Sequence, residues 1–246
     1  MRLRIGAALA GAVEDIRHRA MALDIGAPVT IRVSARTRRL LLRVDAASRT
    51  VELVLPRGIG AEQGLRFVAS HRGWITERLG ALPQPVPFSD GAIVPVLGTP
   101  HRIRRETDRS APTVTIADGE IRVRGEEAHI ARRVRDCLVR LAREELARRA
   151  QSYAARIGKT VARVSVRDTK SRWGSCSGSG NLSFSWRLVL APEAVIDYVV
   201  AHEVAHLAEM NHGPRFWKLC GEICRSINPA REWLEEYGTH LYRYGR

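Results

Sequence analysis

Lysine is almost missing from this chain of 246 residues: it stands only at Lys159, Lys170 and Lys218, although lysine and arginine together number 40. Basic residues that are nearly all arginine, set among so much alanine, read as a compositional habit. They are scattered (Arg36, Arg38, Arg39; Arg102, Arg104, Arg105; Arg132, Arg133, Arg135) rather than interleaved with aromatic residues, so no nucleic-acid stripe is evident. The formal net charge of +14 still leaves attraction to anionic substrates open. Long apolar runs are missing too. Stretches such as Leu40–Leu42 and Leu188–Ala191 fall far short of the ~20 residues a membrane helix needs, so no membrane partner is expected. Cysteine is sparse, at Cys137, Cys176, Cys220 and Cys224, which is too few and too scattered for a disulfide framework. Cys220 and Cys224 lie four apart in a helical pattern and read as buried thiols, not as a Cys-x-x-Cys zinc knuckle. The N-terminus starts basic and continues through a small-residue apolar run, Ile5 to Val13. That run ends at Glu14-Asp15 without a convincing cleavage site, which favours a cytoplasmic chain with a frayed or helical start over a secretory signal.

What the chain does have is a change of pattern. VTIRV (29–33), RRLLLRVD (38–45) and TVELVLP (50–56) are rich in branched residues and predict strands. Leu65, Phe67, Val68, Trp74, Ile75 and Leu79 recur at helical spacing and predict a helix over 61–80. After the proline-rich LPQPVPFSDG, the segments AIVPVLG, PHRIRRE, TVTIA and EIRVRG predict further short strands, with one face wet in the alternating ones. From about residue 126 the pattern turns helical as far as Gly158, with Ile130, Val134, Cys137, Leu138, Leu141, Leu146 and Tyr153 on one side. VSVRDTK and NLSFSWRLVL then predict strands bracketing a loop, the second with Leu182, Phe184, Trp186, Leu188 and Leu190 on one face. Pro192 stops it, and another helix begins near Glu193. The fold expected is α+β: a β-rich N-terminal region with one helix over 1–125 and an α+β domain over 126–246.

That last helix carries HEVAHLAEMNH, residues 202–212. His202 and His206 are four apart, so on a helix both imidazoles leave the same face one turn apart and can reach one tetrahedral ion. Glu203 falls beside such an ion rather than on it, where its carboxylate can act as general base toward activated water. Catalytic zinc takes three protein ligands and keeps one position open, so a third ligand is needed. His212 follows His202 by ten residues, the spacing of His-Glu-x-x-His-x-x-Gly-x-x-His sites. Glu209 stands where that pattern has glycine, so the turn must differ, with Asn211 and Gly213-Pro214 as breakers. Glu209, Glu222 and Glu235 compete with His212 for the third place. The bland alternative is a polar stretch of helix, but the preceding VIDYVVA is strongly apolar, and histidines on a buried helix need a partner. His18, His71, His101, His129 and His240 have no ligand-like spacing.

The stretch DTKSRWGSCSGSGNLSFSWRLVLAPEAVIDYVVAHEVAHLAEMNHGPRFW, residues 168–217, closely resembles the core of the YgjP-like metallopeptidase family, and more distantly SprT-type zinc peptidases of the gluzincin kind. The resemblance implies a zincin-like domain with its active-site helix under a small sheet. It also implies zinc held by His202, His206 and His212, Glu203 as general base, and a peptide or protein substrate. In zinc peptidases of this type a strand over the active-site helix can pair with extended substrate, and NLSFSWRLVL is placed to be that strand, though core packing explains its alternation equally well. Arg172 could stabilise an oxyanion or serve in a salt bridge holding the RWGSC turn. Trp173, Trp186 and Trp217 read as core, and Gly174 as a turn residue. Two other functions compete: hydrolysis of a nucleotide or other phosphoanhydride at the same metal, and a structural metal inside a nucleic-acid-associated protein.

Overall fold

Branched residues build the first strands as expected in the computed structural model, which describes residues 25–108 and 110–246. The basic-then-apolar N-terminal stretch lies outside the described residues. β1 (Val29–Ser34), β2 (Leu41–Asp45) and β3 (Thr50–Pro56) form a sheet of order β1-β3-β2, with β1 parallel and β2 antiparallel to β3. Val51, Leu53 and Leu55 of β3 pack on Leu65, Val68, Ile75 and Leu79. Those last four sit on two helices, not one: α1 (Ala61–Ser70) and α2 (Arg72–Gly80). The break is at His71, whose ring Nδ1 bonds the Phe67 carbonyl at 2.8 Å, taking the acceptor that its own backbone N–H would use in a continuous α-helix.

The next four strands, β4 (Ile93–Val96), β5 (Thr99–Glu106), β6 (Val114–Ala117) and β7 (Glu120–Arg124), form a sheet of order β4-β5-β7-β6. β6 and β7 are joined by Asp118-Gly119, both at positive φ (53° and 72°), the two-residue type I′ turn that suits antiparallel twist. The chain's contacts divide it at Pro83/Gln84 rather than at the change of pattern near residue 125. Burial is the reason. Val94, Val96, Ile103, Ile121 and Val123 share one core with Ile130, Val134 and Leu138 and with the residues around the histidine motif, so these strands belong with the second unit. No described helix is long and apolar enough to cross a membrane.

The second unit continues with α3 (Glu127–Arg156), β8 (Arg163–Arg167), β9 (Gly174–Cys176) and β10 (Asn181–Ser185), then α4 (Glu193–Ala205), α5 (Pro214–Ile223) and α6 (Ile227–Tyr237). The strand expected over 181–190 ends at Ser185; Trp186–Leu190 wind into a 3-10 helix and are all buried. Ser185 Oγ accepts the Arg187 backbone N–H at 3.4 Å and starts the turn. Arg187, which the alternation sets on the face opposite Leu182 and Phe184, points inward. It donates to Asp168 Oδ1 at 3.0 Å and to the carbonyls of Leu241 and Tyr244 at 3.1 and 2.9 Å. A buried guanidinium is tolerable only with such partners. β10 is the central strand of the order β8-β10-β9, parallel to β8 and antiparallel to β9. Both of its edges are therefore taken, and it is not the strand that could receive an added peptide.

α4 is apolar nearly all round, with Val195, Ile196, Val199, Val200, Ala201, Val204 and Ala205 buried. α3 fixes its position through Arg149, which is buried against it. Arg149 donates to Asp197 Oδ1 at 2.5 Å and Glu193 Oε2 at 2.8 Å on α4, and to Glu145 Oε2 at 3.3 Å on its own helix. Tyr153 donates to the same Asp197 oxygen at 2.8 Å. Substituting Arg149→Met should lower stability by about 2–4 kcal/mol, because Asp197 and Glu145 lose their buried cation. Arg148→Met, which removes one exposed pair to Glu145, should change it by less than about 0.5 kcal/mol. Urea midpoints compared at unchanged m-value read both.

Candidate metal centre

α4 ends at Ala205, and His206 occupies its C-cap with helical backbone angles. Residues 207–213 then turn the chain back, and α5 starts with Pro214 in its first turn after Gly213. No residue between 207 and 212 has positive φ, so Glu209 meets no penalty where related motifs carry glycine. Glu209 closes the turn by donating its N–H to the Ala205 carbonyl at 3.0 Å.

The result brings His202, His206 and His212 together, their candidate ligand nitrogens all within 4.8 Å of one another. His202 Nε2 and His212 Nε2 stand 3.0 Å apart. Two nitrogens at ~2.0–2.1 Å from one tetrahedral ion are about 3.3 Å apart, so this spacing suits a shared metal. His206 Nδ1 donates to the Glu209 carbonyl at 3.0 Å. A carbonyl only accepts, so this bond places the proton on Nδ1 and leaves the Nε2 lone pair free, the usual way an outer contact orients a ligating imidazole. Glu209 thus acts through its backbone. Its carboxylate, with those of Glu222 and Glu235, is not part of the cluster; Glu235 lies instead near Arg231 at 3.9 Å. Burial, reinforced by the neighbouring His206 and His212, pushes His202 down to about 4, which keeps it neutral and able to ligate. Its Nδ1 is buried without a hydrogen-bond partner among the described residues. A set of three imidazoles fits zinc better than magnesium or calcium.

Phe216 of α5 lies beneath the cluster, fully buried, with its ring centroid 4.9, 4.6 and 4.7 Å from those of His202, His206 and His212. Trp217, expected in the core, is only half-buried and sits 6.0 and 5.9 Å from His202 and His212. These two residues wall the site, a role sequence pattern could not separate from ordinary packing.

Glu203 is buried, at 7 % exposure, on the flank of α4 that faces Gly174 of β9. Burial raises its carboxyl to about 7, and the Arg172 guanidinium opposes the shift. Arg172 makes no ion pair among the described residues; the segment is tethered by Asp168, which pairs with Arg187 and Arg135. Gly174 is not at a turn. It opens β9, and a side chain there would place Cβ 2.5 Å from Glu203 Cγ and Oε1. Glycine lets the strand run against the glutamate; any side chain here would force Glu203 to move. Cys176, two residues on, also feels the Glu203 charge.

The model of the YgjP-like metallopeptidase domain matches residues 38–237. The chain belongs to the YgjP-like metallopeptidase family. The match crosses the division at Pro83, so this family's domain takes in strands and helices of both units. Among solved structures, the metallopeptidase zymogen abylysin of Pyrococcus abyssi is similar over 38 % of this chain and 93 % of its own, at 20 % identity and a TM-score of 0.32. Among curated proteins none matches.

Gly174→Ala should displace Glu203 from its enclosed position and lower stability by about 1–3 kcal/mol. Gly178→Ala, where nothing lies within 4 Å of the added carbon, should leave the unfolding midpoint unchanged. Equal midpoints for the two variants would show that β9 and Glu203 are not in contact.

Proposed function

We propose that this YgjP-like protein is a zinc-dependent peptidase, with His202, His206 and His212 as the metal ligands and Glu203 as general base. The observation that carries this reading is the meeting of three neutral-capable imidazoles with a buried carboxylate that stands next to them but outside their cluster. Bound zinc would supply Lewis acidity and lower the pKa of water to about 7. Glu203 takes the proton from the attacking water and delivers it to the leaving amine; a carboxyl raised toward neutrality suits both transfers. Phe216 and Trp217 hold the imidazoles from below and limit water on that side. Arg172, exposed and without an ion pair among the described residues, is a candidate to face the carbonyl oxygen as its charge develops.

The substrate strand would lie along β9. Ser175 pairs with Ser183, and the Trp173 carbonyl and Ser177 N–H bond β10 at 2.9 Å each, so strand alternation turns the main-chain groups of Gly174 and Cys176 away from β10. That open edge beside Glu203 suits an extended peptide. It leads toward a cavity of about 340 Å³ lined by Lys159, Ser177, Ser179, His206, Leu207 and Met210, where a substrate side chain fits. No observation at the site favours a phosphoanhydride bond.

Two variants test the assignment. Elemental mass spectrometry should find near-stoichiometric zinc in the parent protein and none in His206→Ala. Glu203→Gln should keep the zinc and lose about 10²–10⁴ of its turnover of unfolded polypeptide. Activity retained in Glu203→Gln removes the glutamate from the mechanism, and cleavage of nucleoside triphosphates in place of polypeptide replaces the peptidase reading.

A further inference from the structure

The first half of α3 presents arginines to a cavity that none of the three histidines lines. Arg132, Arg133, Arg140 and Arg143 face Thr113 and Val114 across a space of about 590 Å³. Among the described residues the lining holds a single carboxylate, Asp136, and it already pairs with Arg132 at 3.2 Å. Arg133 is turned to the Arg124 carbonyl. Arg140 has only the Cys137 sulfur at 3.6 Å, a weak acceptor, and Arg143 has no ion pair among the described residues. Elsewhere on the same helix Arg149 collects three carboxylates, so charge pairing is available to this helix and is not used here.

We infer that this cavity binds a small polyphosphate through its phosphate groups. Guanidinium forks match phosphate oxygens in pairs, and an anion between them relieves the repulsion of like charges held on one face. Arg140 and Arg143, three apart and so neighbours on one helix face, are separated by about 4.5 Å along the axis at 1.5 Å per residue, which suits the two adjacent phosphates of a diphosphate. The lining contains no aromatic ring on which a base could stack, so the ligand is read through its phosphates and not through a nucleobase. Inorganic pyrophosphate is the simplest such molecule, and the diphosphate of a nucleotide carries the same groups.

Calorimetric titration of the full-length protein with pyrophosphate at low ionic strength tests this. Saturable binding is expected, tighter than for orthophosphate, with a nucleoside diphosphate bound within a few-fold of pyrophosphate. R140Q/R143Q should weaken it at least about tenfold. R140K/R143K, which keeps the charge but loses the fork, should also weaken it and guards against a folding defect. R102Q/R104Q, which removes equal charge from the β5 face, and His206→Ala should each leave it unchanged. Absence of saturable binding, equal weakening in R102Q/R104Q, or loss in His206→Ala would overturn the inference, the last by placing the phosphate at the metal centre.

Discussion

A helix that is apolar nearly all round has to be enclosed by other elements, and enclosing α4 organises the second unit. α3, α5, α6 and β9 all pack against it. Most of its polar side chains are answered by an enclosing element. Near its N-terminus Glu193 and Asp197 meet Arg149. Toward its C-terminus Glu203 meets β9, and the histidines meet α5 and the returning chain. Each contact is specific because an unanswered polar group in that core would cost several kcal/mol. The site is therefore a consequence of how the helix is buried as much as of which residues it carries.

β9 shows the same constraint from the other side. A strand of three residues contributes little pairing energy and leaves an open edge, a feature natural sheets keep short to avoid unwanted pairing. Here the short edge runs so close to Glu203 that any side chain at its first position would displace the glutamate. The approach that keeps water from one side of the carboxylate also sets an unpaired main-chain edge beside it. Excluding solvent from the carboxylate and leaving a main-chain edge open beside it are then two effects of one packing contact.

The elements whose pattern repeats were legible in the sequence. Branched residues marked β1, β3, β6 and β7, and the long α3 followed its apolar period. The histidine spacing was legible because helix geometry alone carries His202 and His206 to one face, and His212 needed only a chain reversal. What was not legible depended on partners far away in sequence. Alternation from Leu182 to Leu190 looks like one strand, yet Arg187 is drawn inward by Asp168 and by carbonyls near the C-terminus, and the backbone winds up to permit it. His71 divides a helical pattern with a side-chain bond that periodicity does not register. The division at Pro83 follows a shared core, which a local change from strand to helix pattern cannot report. Gly174 passed for a turn residue because its reason is Glu203, 29 positions later.

The abundance of arginine looked like a habit of composition, and for much of the surface that reading suffices. It does not describe individual positions. Arg149 and Arg187 are buried with several acceptors each, joining segments distant in sequence. Arg132 and Arg140, on the same helix as Arg149, line a cavity with one carboxylate among the described residues. A uniform bias toward arginine would scatter partners as evenly as it scatters charge. The uneven pairing along α3 instead reflects where acidic side chains were placed against it, dense where α4 must be held and sparse beside β6. That contrast, not the net charge, is what distinguishes arginines that build the fold from those left able to receive an anion.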